Sequence, residues 1–370
     1  MAVKSLKIRE ITLTNFKNYQ FHAFSFDEQL NCLVGKNGTG KTNLLDSIYY
    51  SCFTKSYTSS SDSYVTHLDS DFFRLESDFS LDSENHKVEI KNQKQSKKEI
   101  WLDKSKLEKR TTYIGKFPCV IITPDDNQLL LAGSDIRRKF MDATIAQSSS
   151  AYLQQLMEYN RILLQRNAVL KSFYESRTFN KSLLVVYNEQ LVQFGNSLFE
   201  DRKSFIEQFM PIFKEIYKQI FDGNELIDIR YSSDLWQHDF ATLLESTEYQ
   251  NRNSGRTTKG LHTDDLIFEL NGHPIRKVGS QGQQKTFLFA LKLAQYEWLK
   301  QKKQIQPILL LDDIFDKLDN TRVNKIFELI KSEKIGQTFI TDTDENRILQ
   351  IINKNSIHPY KIITIGELQK

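Results

Sequence analysis

Residues 6–16, LKIREITLTNF, alternate apolar and polar side chains, the period-two pattern of a strand with one buried face. A shorter apolar run, LNCLVG at 30–35, predicts a fully buried strand. KTNLLDSIYYSCF then sets Leu44, Leu45, Ile48 and Cys52 along one face of a helix, with a Ser-rich loop expected over 51–63. Strand signals return from about 72 to 123. Within them, 86–110 predicts a hairpin with Val88/Ile90 and Ile100/Leu102 facing inward, and CVIITP (119–124) predicts a buried strand stopped by Pro124.

Over 135–222 the period changes. Leu153, Leu156, Ile162, Leu163 and Leu170 recur at helical spacing, as do Leu191, Phe194, Leu198, Ile206, Phe209 and Phe213. This predicts two long antiparallel helices turning at 175–181. After NRNSGRTTKG (251–260), a loop by composition, come the strand-like DLIFELNGHPIRKV, a helix led by SQGQQK (280–285) and the strand PILLLDD (307–313). A helix from about 320 and the strand QTFITDT complete the series. Alternating strands and helices predict a largely parallel sheet. The expected division is therefore 1–134 and 251–370 as two parts of one α/β domain, with 135–250 as an inserted helical subdomain.

Composition changes this picture little. Of the 370 residues, 39% are hydrophobic, enough for a packed core, and the net charge of +3 alone identifies no partner. Charge is local instead: nine Lys/Arg face four Asp/Glu between Lys87 and Arg110. Lys91, Lys94, Lys97 and Lys98 there, and Arg137, Arg138 and Lys139 further on, are candidate nucleic-acid contacts. Cys32, Cys52 and Cys119 lie far apart without metal-type spacing, as small buried hydrophobes in a reducing compartment. No apolar run approaches 18 residues and the start lacks a signal-peptide core, so a cytoplasmic protein that does not engage a membrane is expected.

The chemistry is concentrated at GKNGTGKT (35–42), which fits G-x-x-x-x-G-K-[ST] between a predicted strand and a predicted helix. Gly35, Gly38 and Gly40 let the backbone curl so that successive amides of the loop, Lys36, Asn37 and Thr39 included, surround phosphate oxygens. Lys41 is placed for the β- and γ-phosphates and Thr42 for Mg²⁺. The run ILLLDD delivers two acids to the end of a buried strand. Asp312 suits the Mg²⁺-holding role, and Asp313 suits orienting or deprotonating the attacking water. Ser280, at the head of SQGQQK, is either a helix N-cap or a donor to an anion at the exposed helix start, and the two roles are compatible.

A phosphate loop, then a distal Ser-x-Gly-Gln turn before a helix, then an apolar strand ending in two acids is the order of an ATP-binding-cassette-type head. Over essentially its whole length the chain resembles the RecF family of DNA replication and repair ATPases, relatives of the SMC heads. The resemblance is carried by ITLTNFKNY, GKNGTGKTNLLDSIY, TPDDNQLLLAGSDIRRKFMD, YNRILLQRN, GLHTDD, GSQGQQKTFLFALKLAQ and LLLDDIFDKLDNTR. It implies an α/β, ABC/SMC-type P-loop ATPase head with an inserted helical subdomain. It also implies an ATP- and Mg²⁺-dependent homodimer with weak ATPase activity, binding DNA at single-strand/double-strand junctions. RecO and RecR are the implied partners in loading RecA at gaps. By position, Gly35 to Thr42 form the nucleotide loop, and Lys41 and Asp313 are the catalytic pair. Thr42 and Asp312 hold the metal; Ser280, Gln281, Gly282 and Gln283 form the signature that meets the partner's γ-phosphate, and Asp319 belongs to a loop crossing the dimer interface. The departures are Leu261 and Thr263 in GLHTDD, Thr58 where an arginine is frequent, and Lys317 where an acid is. A transporter-type ATPase subunit is the alternative; such heads carry a Glu after the metal Asp and a switch His, whereas Asp313 follows here and Thr341 or Asp342 stands after QTFI.

Overall fold

The computed structural model describes residues 3–221, 225–313, 320–332 and 334–366. Asp319 and Lys317 lie outside the described residues. The chain divides into two compact units, one of residues 1–126 and 285–370 and the other of residues 127–284.

The first unit contains two sheets. Its parallel sheet runs in the order Tyr360–Thr364, Leu30–Val34, Thr338–Asp342, Ile308–Leu311, Cys119–Ile122. The four strands other than Tyr360–Thr364 are buried at every position, which is why they read as continuous apolar runs rather than alternating ones. The antiparallel sheet starts from Tyr19–Ser25, Leu6–Phe16 and Phe72–Leu81 and continues through the predicted lysine-rich hairpin. There Val88 pairs with Leu102 and Ile90 with Ile100, as the alternation predicts. A bulge between Ile8 and Glu10 leaves Arg9 and Glu10 both exposed and resets the alternation of the first strand.

The helix after the phosphate loop, Lys41–Phe53, joins one core cluster with both sheets: Leu44, Leu45, Ile48 and Cys52 pack with Ile11, Leu75 and Val88 as well as Leu33, Ile308 and Phe339. Covered from two sides, it is buried almost all round, and it carries the chain to Phe53, so the Ser-rich loop starts at Thr54 rather than 51. The three cysteines are buried and form no disulfide among the described residues.

The second unit corrects three expectations. The two long helices are there, Ser150–Ser176 and Lys181–Ile220, turning where expected, but the stretch before them, read as part of the first, is a separate helix, Ser134–Ser148. The break falls at Ser149, whose hydroxyl accepts from the Tyr152 amide at 3.1 Å and starts a new helix. Residues 251–260 are not all loop, because Glu248–Ser254 is helical. The third correction concerns the boundary. Ile227–Ser232 pairs antiparallel with Asp265–Leu270, which pairs with His273–Pro274, so 251–284 folds with the insertion and the α/β unit resumes at 285. That pairing closes across more than thirty intervening residues, beyond the reach of local pattern. Among the described residues no helix is long and apolar enough to cross a membrane.

Candidate nucleotide site

Leu30–Val34 ends the buried strand and the chain turns at once into the loop 35–40 and the helix Lys41–Phe53. Two glycines are dictated by their surroundings. A Cβ on Gly35 would lie 2.4 Å from the Ile365 carbonyl oxygen. Gly40 has φ of 112°, and a Cβ there would lie 2.6 Å from Asn18 Nδ2 and 2.8 Å from the Tyr19 hydroxyl. Those neighbours also grip the loop: Asn18 donates to the Thr39 carbonyl, Asn43 to Asn18 Oδ1, and Tyr19 to the Gly40 carbonyl at 3.0 Å. Asn18 and Tyr19 lie in the NFKNY stretch that carries part of the family resemblance, the one signal by which this role could have been found.

Lys41 is nearly buried and folds back on the loop, its Nζ donating to the carbonyls of Gly35 at 2.6 Å and Lys36 at 2.8 Å. Burial lowers its ammonium pKa, while Asp313, Asp312 and Asp342 act in the opposite direction. A phosphate would give this cation an anion at contact distance, which none of the described residues supplies. Beside the loop an open groove of about 1650 Å³, bordered by Lys36, Asn37, Asn18, His22 and Tyr64, leaves ample room for a nucleotide.

The acids arrive from the strand one further along the sheet, with Thr338–Asp342 between it and the strand of the phosphate loop. Ile308–Leu311 pairs in parallel with Cys119–Ile122 and Thr338–Asp342, and Asp312 follows directly. Thr42 Oγ1 lies 3.1 Å from each carboxylate oxygen of Asp312, 270 residues away in sequence. Thr341 donates its hydroxyl to Asp312 Oδ1 at 2.8 Å and accepts from the Asp313 amide at 2.8 Å. Burial pushes the Asp312 carboxyl above its ordinary range; the hydrogen bonds from Thr341 and Thr42 oppose that, and the adjacent Asp313 adds to it. Asp313 takes a left-handed backbone, φ 49°, which turns the chain at the strand end. A hydroxyl and a carboxylate side by side fit a hard divalent cation that draws its other ligands from water and phosphate, the usual Mg²⁺ arrangement. At the switch position, Asp342 is buried and paired with Arg347 at 2.5 Å.

The structure thus brings Gly35–Thr42, Asp312 and Asp313 together in one unit. Ser280–Gln283 belong to the other unit. There Ser280 and Gln283 form a reciprocal cap: the Gln283 amide donates to Ser280 Oγ at 3.2 Å, and Ser280 N donates to Gln283 Oε1 at 2.7 Å. Gln283 also donates to Glu225 at 2.6 Å. Of the basic candidates, Arg137 is buried and Arg138 half-buried. Arg137 forks onto Asp265 at 2.7 and 2.9 Å, and Arg138 bonds Ser134 and the Asp264 carbonyl. Lys98 turns inward to Asp62, over the Tyr50 ring, while Lys91 and Lys94 pair with Glu89 and Asp71. Lys97 stays exposed, and Lys139 pairs with Asp135 on the surface.

The RecF/RecN/SMC N-terminal domain family matches residues 7–359. The DNA replication and repair protein RecF of Flavobacterium johnsoniae is 43% identical over 360 residues, 97% of this chain and all of that protein. That of Phocaeicola vulgatus is 38% identical, covering 97% of this chain and 96% of its own length. Among solved structures, the recombination mediator protein RecF-ATP of the RecFOR pathway superposes with a TM-score of 0.86 at 28% identity, covering 92% of this chain and 93% of its own. An SMC head domain from Pyrococcus furiosus shares the fold, with a TM-score of 0.54 at 16% identity over 98% of this chain and 94% of that one.

Proposed function

The chain belongs to the RecF family, and from that premise we propose that it is an ATP-dependent DNA-binding protein of recombinational repair and replication. It is a P-loop ATPase of the ABC/SMC type, and family membership replaces the transporter-type alternative. In the proposed cycle, Gly35–Thr42 cradle the phosphates of ATP, Lys41 neutralises the γ-phosphate, and Thr42 with Asp312 hold Mg²⁺. Asp313 orients or deprotonates the attacking water, and turnover is slow. ATP joins two copies of the chain, with Ser280–Gln283 of one donating to the γ-phosphate held by the other. A serine hydroxyl that accepts a capping bond can still donate one, so the cap and the phosphate contact coexist. The Asp319 segment belongs to the same interface. The dimer binds single-strand/double-strand DNA junctions at gaps in the cytoplasm and, with RecO and RecR, helps RecA load.

The observation that supports this most is the meeting of Thr42 and Asp312 at 3.1 Å next to a lysine whose contacts are loop carbonyls. Sedimentation with gapped duplex DNA, with and without ATP and Mg²⁺, tests it. A dimer and salt-sensitive DNA retention that both require the nucleotide are expected. A chain that stays monomeric, or holds DNA equally without ATP, would overturn the proposal.

A further inference from the structure

We propose that Thr341 is a positioning residue for the metal-bearing end of the site. One hydroxyl sets both the direction of the Asp312 carboxylate and the backbone turn that presents Asp313. The proposal rests on reading the site as a Mg²⁺–ATP site.

Leu311 and Ile340 are register partners on adjacent parallel strands, so the residues that follow them come side by side at the strand ends. Thr341 is 1% exposed and Asp312 7%, and both bonds of the bridge measure 2.8 Å. An amide only donates, so Thr341 Oγ1 accepts from Asp313 and its single proton goes to Asp312 Oδ1. The hydroxyl is thereby fixed in both its roles.

Packing alone does not call for a hydroxyl here. Its neighbours along the strand, Phe339 and Ile340, are apolar and fully buried, and valine would fill the same shape in a β-strand. A buried hydroxyl is unfavourable unless bonded, and both of its partners lie just past the end of another strand, 28 and 29 residues away. Were Thr42 and Asp312 to hold a cation, the Thr42 oxygen would give it a lone pair and its proton would no longer be committed to Asp312. Thr341 is the other side-chain donor to Asp312 among the described residues. Carboxylates that bind metals depend on such outer hydrogen bonds for their orientation. The second bond holds the left-handed turn at Asp313, a conformation uncommon outside glycine.

The test uses the full chain with Thr341→Val, Thr341→Ser and Thr341→Ala, reading binding of a fluorescent ATP analogue in EDTA, the Mg²⁺ concentration that half-saturates its effect on binding, and turnover. For Thr341→Val, affinity in EDTA should stay within about twofold, whereas half-saturating Mg²⁺ rises and turnover falls, each by about 10- to 100-fold. Thr341→Ser should stay near wild type. If the valine variant does not fold, serine against alanine makes the same comparison, since those two differ only by the hydroxyl. A valine variant with wild-type Mg²⁺ dependence and turnover overturns the proposal. So does a serine variant as impaired as the valine or alanine one, because the missing methyl would then be the cause. Failure of the wild-type chain to bind the analogue at all would sink the ATPase reading itself, a distinct result.

Discussion

In the unit formed by 127–284, buried charges face one another. Arg202 reaches Asp142 through Nε and Nη2 and Asp264 through Nη1, and the Tyr152 and Tyr231 hydroxyls bond to the same acids. Arg137 and Asp265 make a second, two-pronged pair. In the α/β unit, Lys41 hydrogen-bonds, among the described residues, to carbonyls of its own loop, and the side chains described as bonding to the Asp312 carboxylate are hydroxyls. Apart from Arg202, the sequence displays both groups alike, as charged residues inside motifs that carry the family resemblance. Their physical use is opposite. A charge whose partners are oppositely charged side chains is committed to the fold. One resting on neutral dipoles keeps its full attraction for a ligand of opposite charge.

The widest test of this contrast is Arg202→Met, which keeps the volume and strands Asp142 and Asp264 in the interior. Removing one member of a buried charge network should lower stability by about 3–5 kcal/mol, read in a urea melt. ATP-analogue binding below the melt should persist, because the phosphate loop lies in the other unit. An unchanged melt would show that these charges are not the framework. Lys41→Ala is its mirror image. Losing the cation should weaken nucleotide affinity by about 2–4 kcal/mol, roughly 30- to 700-fold, with no loss of apo stability, because burial already disfavours that charge. A variant that bound ATP normally would remove Lys41 from the site.

Asp313→Asn sharpens the contrast within the site. It keeps shape and the Thr341 bond to the backbone while removing the charge that activates water. Turnover should fall by at least about 100-fold, with nucleotide binding retained and any ATP-driven dimer lasting longer. Hydrolysis at the wild-type rate would show that Asp313 is not the base.

What could be read from the sequence was whatever local spacing determines. Gly35 to Thr42 and the pair Asp312–Asp313 each fit a motif a few residues long, and the runs around them are buried strands as expected. What could not be read depends on distant partners. Thr341 gains its role only because Thr338–Asp342 lies beside Ile308–Leu311, and Asn18 only because its turn reaches Thr39. The boundary at 251 failed for the same reason, since Ile227–Ser232 claims Asp265–Leu270 by antiparallel pairing. The break at Ser149 was local, but a serine among serines gives no periodic signal, and the cap bond from Tyr152 that marks it belongs to the folded chain.

The smallest change in stability carries the last test, because Ser280 stands on both sides of the contrast. In the chain it is a cap, bonded reciprocally to Gln283. In the proposed dimer it is also a ligand group. Ser280→Arg removes the cap, at a cost of about 1 kcal/mol, and sets a bulky side chain where two subunits would close on one phosphate. Ser280→Asp separates the two roles. Aspartate caps a helix as well as serine does, so the melt should stay at wild type, but its carboxylate would repel a γ-phosphate. ATP drives association only through its preference for the dimer, so both variants should bind ATP as monomers and ignore it in sedimentation. If Ser280 is a cap and nothing more, the arginine variant loses its small increment of stability, the aspartate variant loses nothing, and ATP still assembles both.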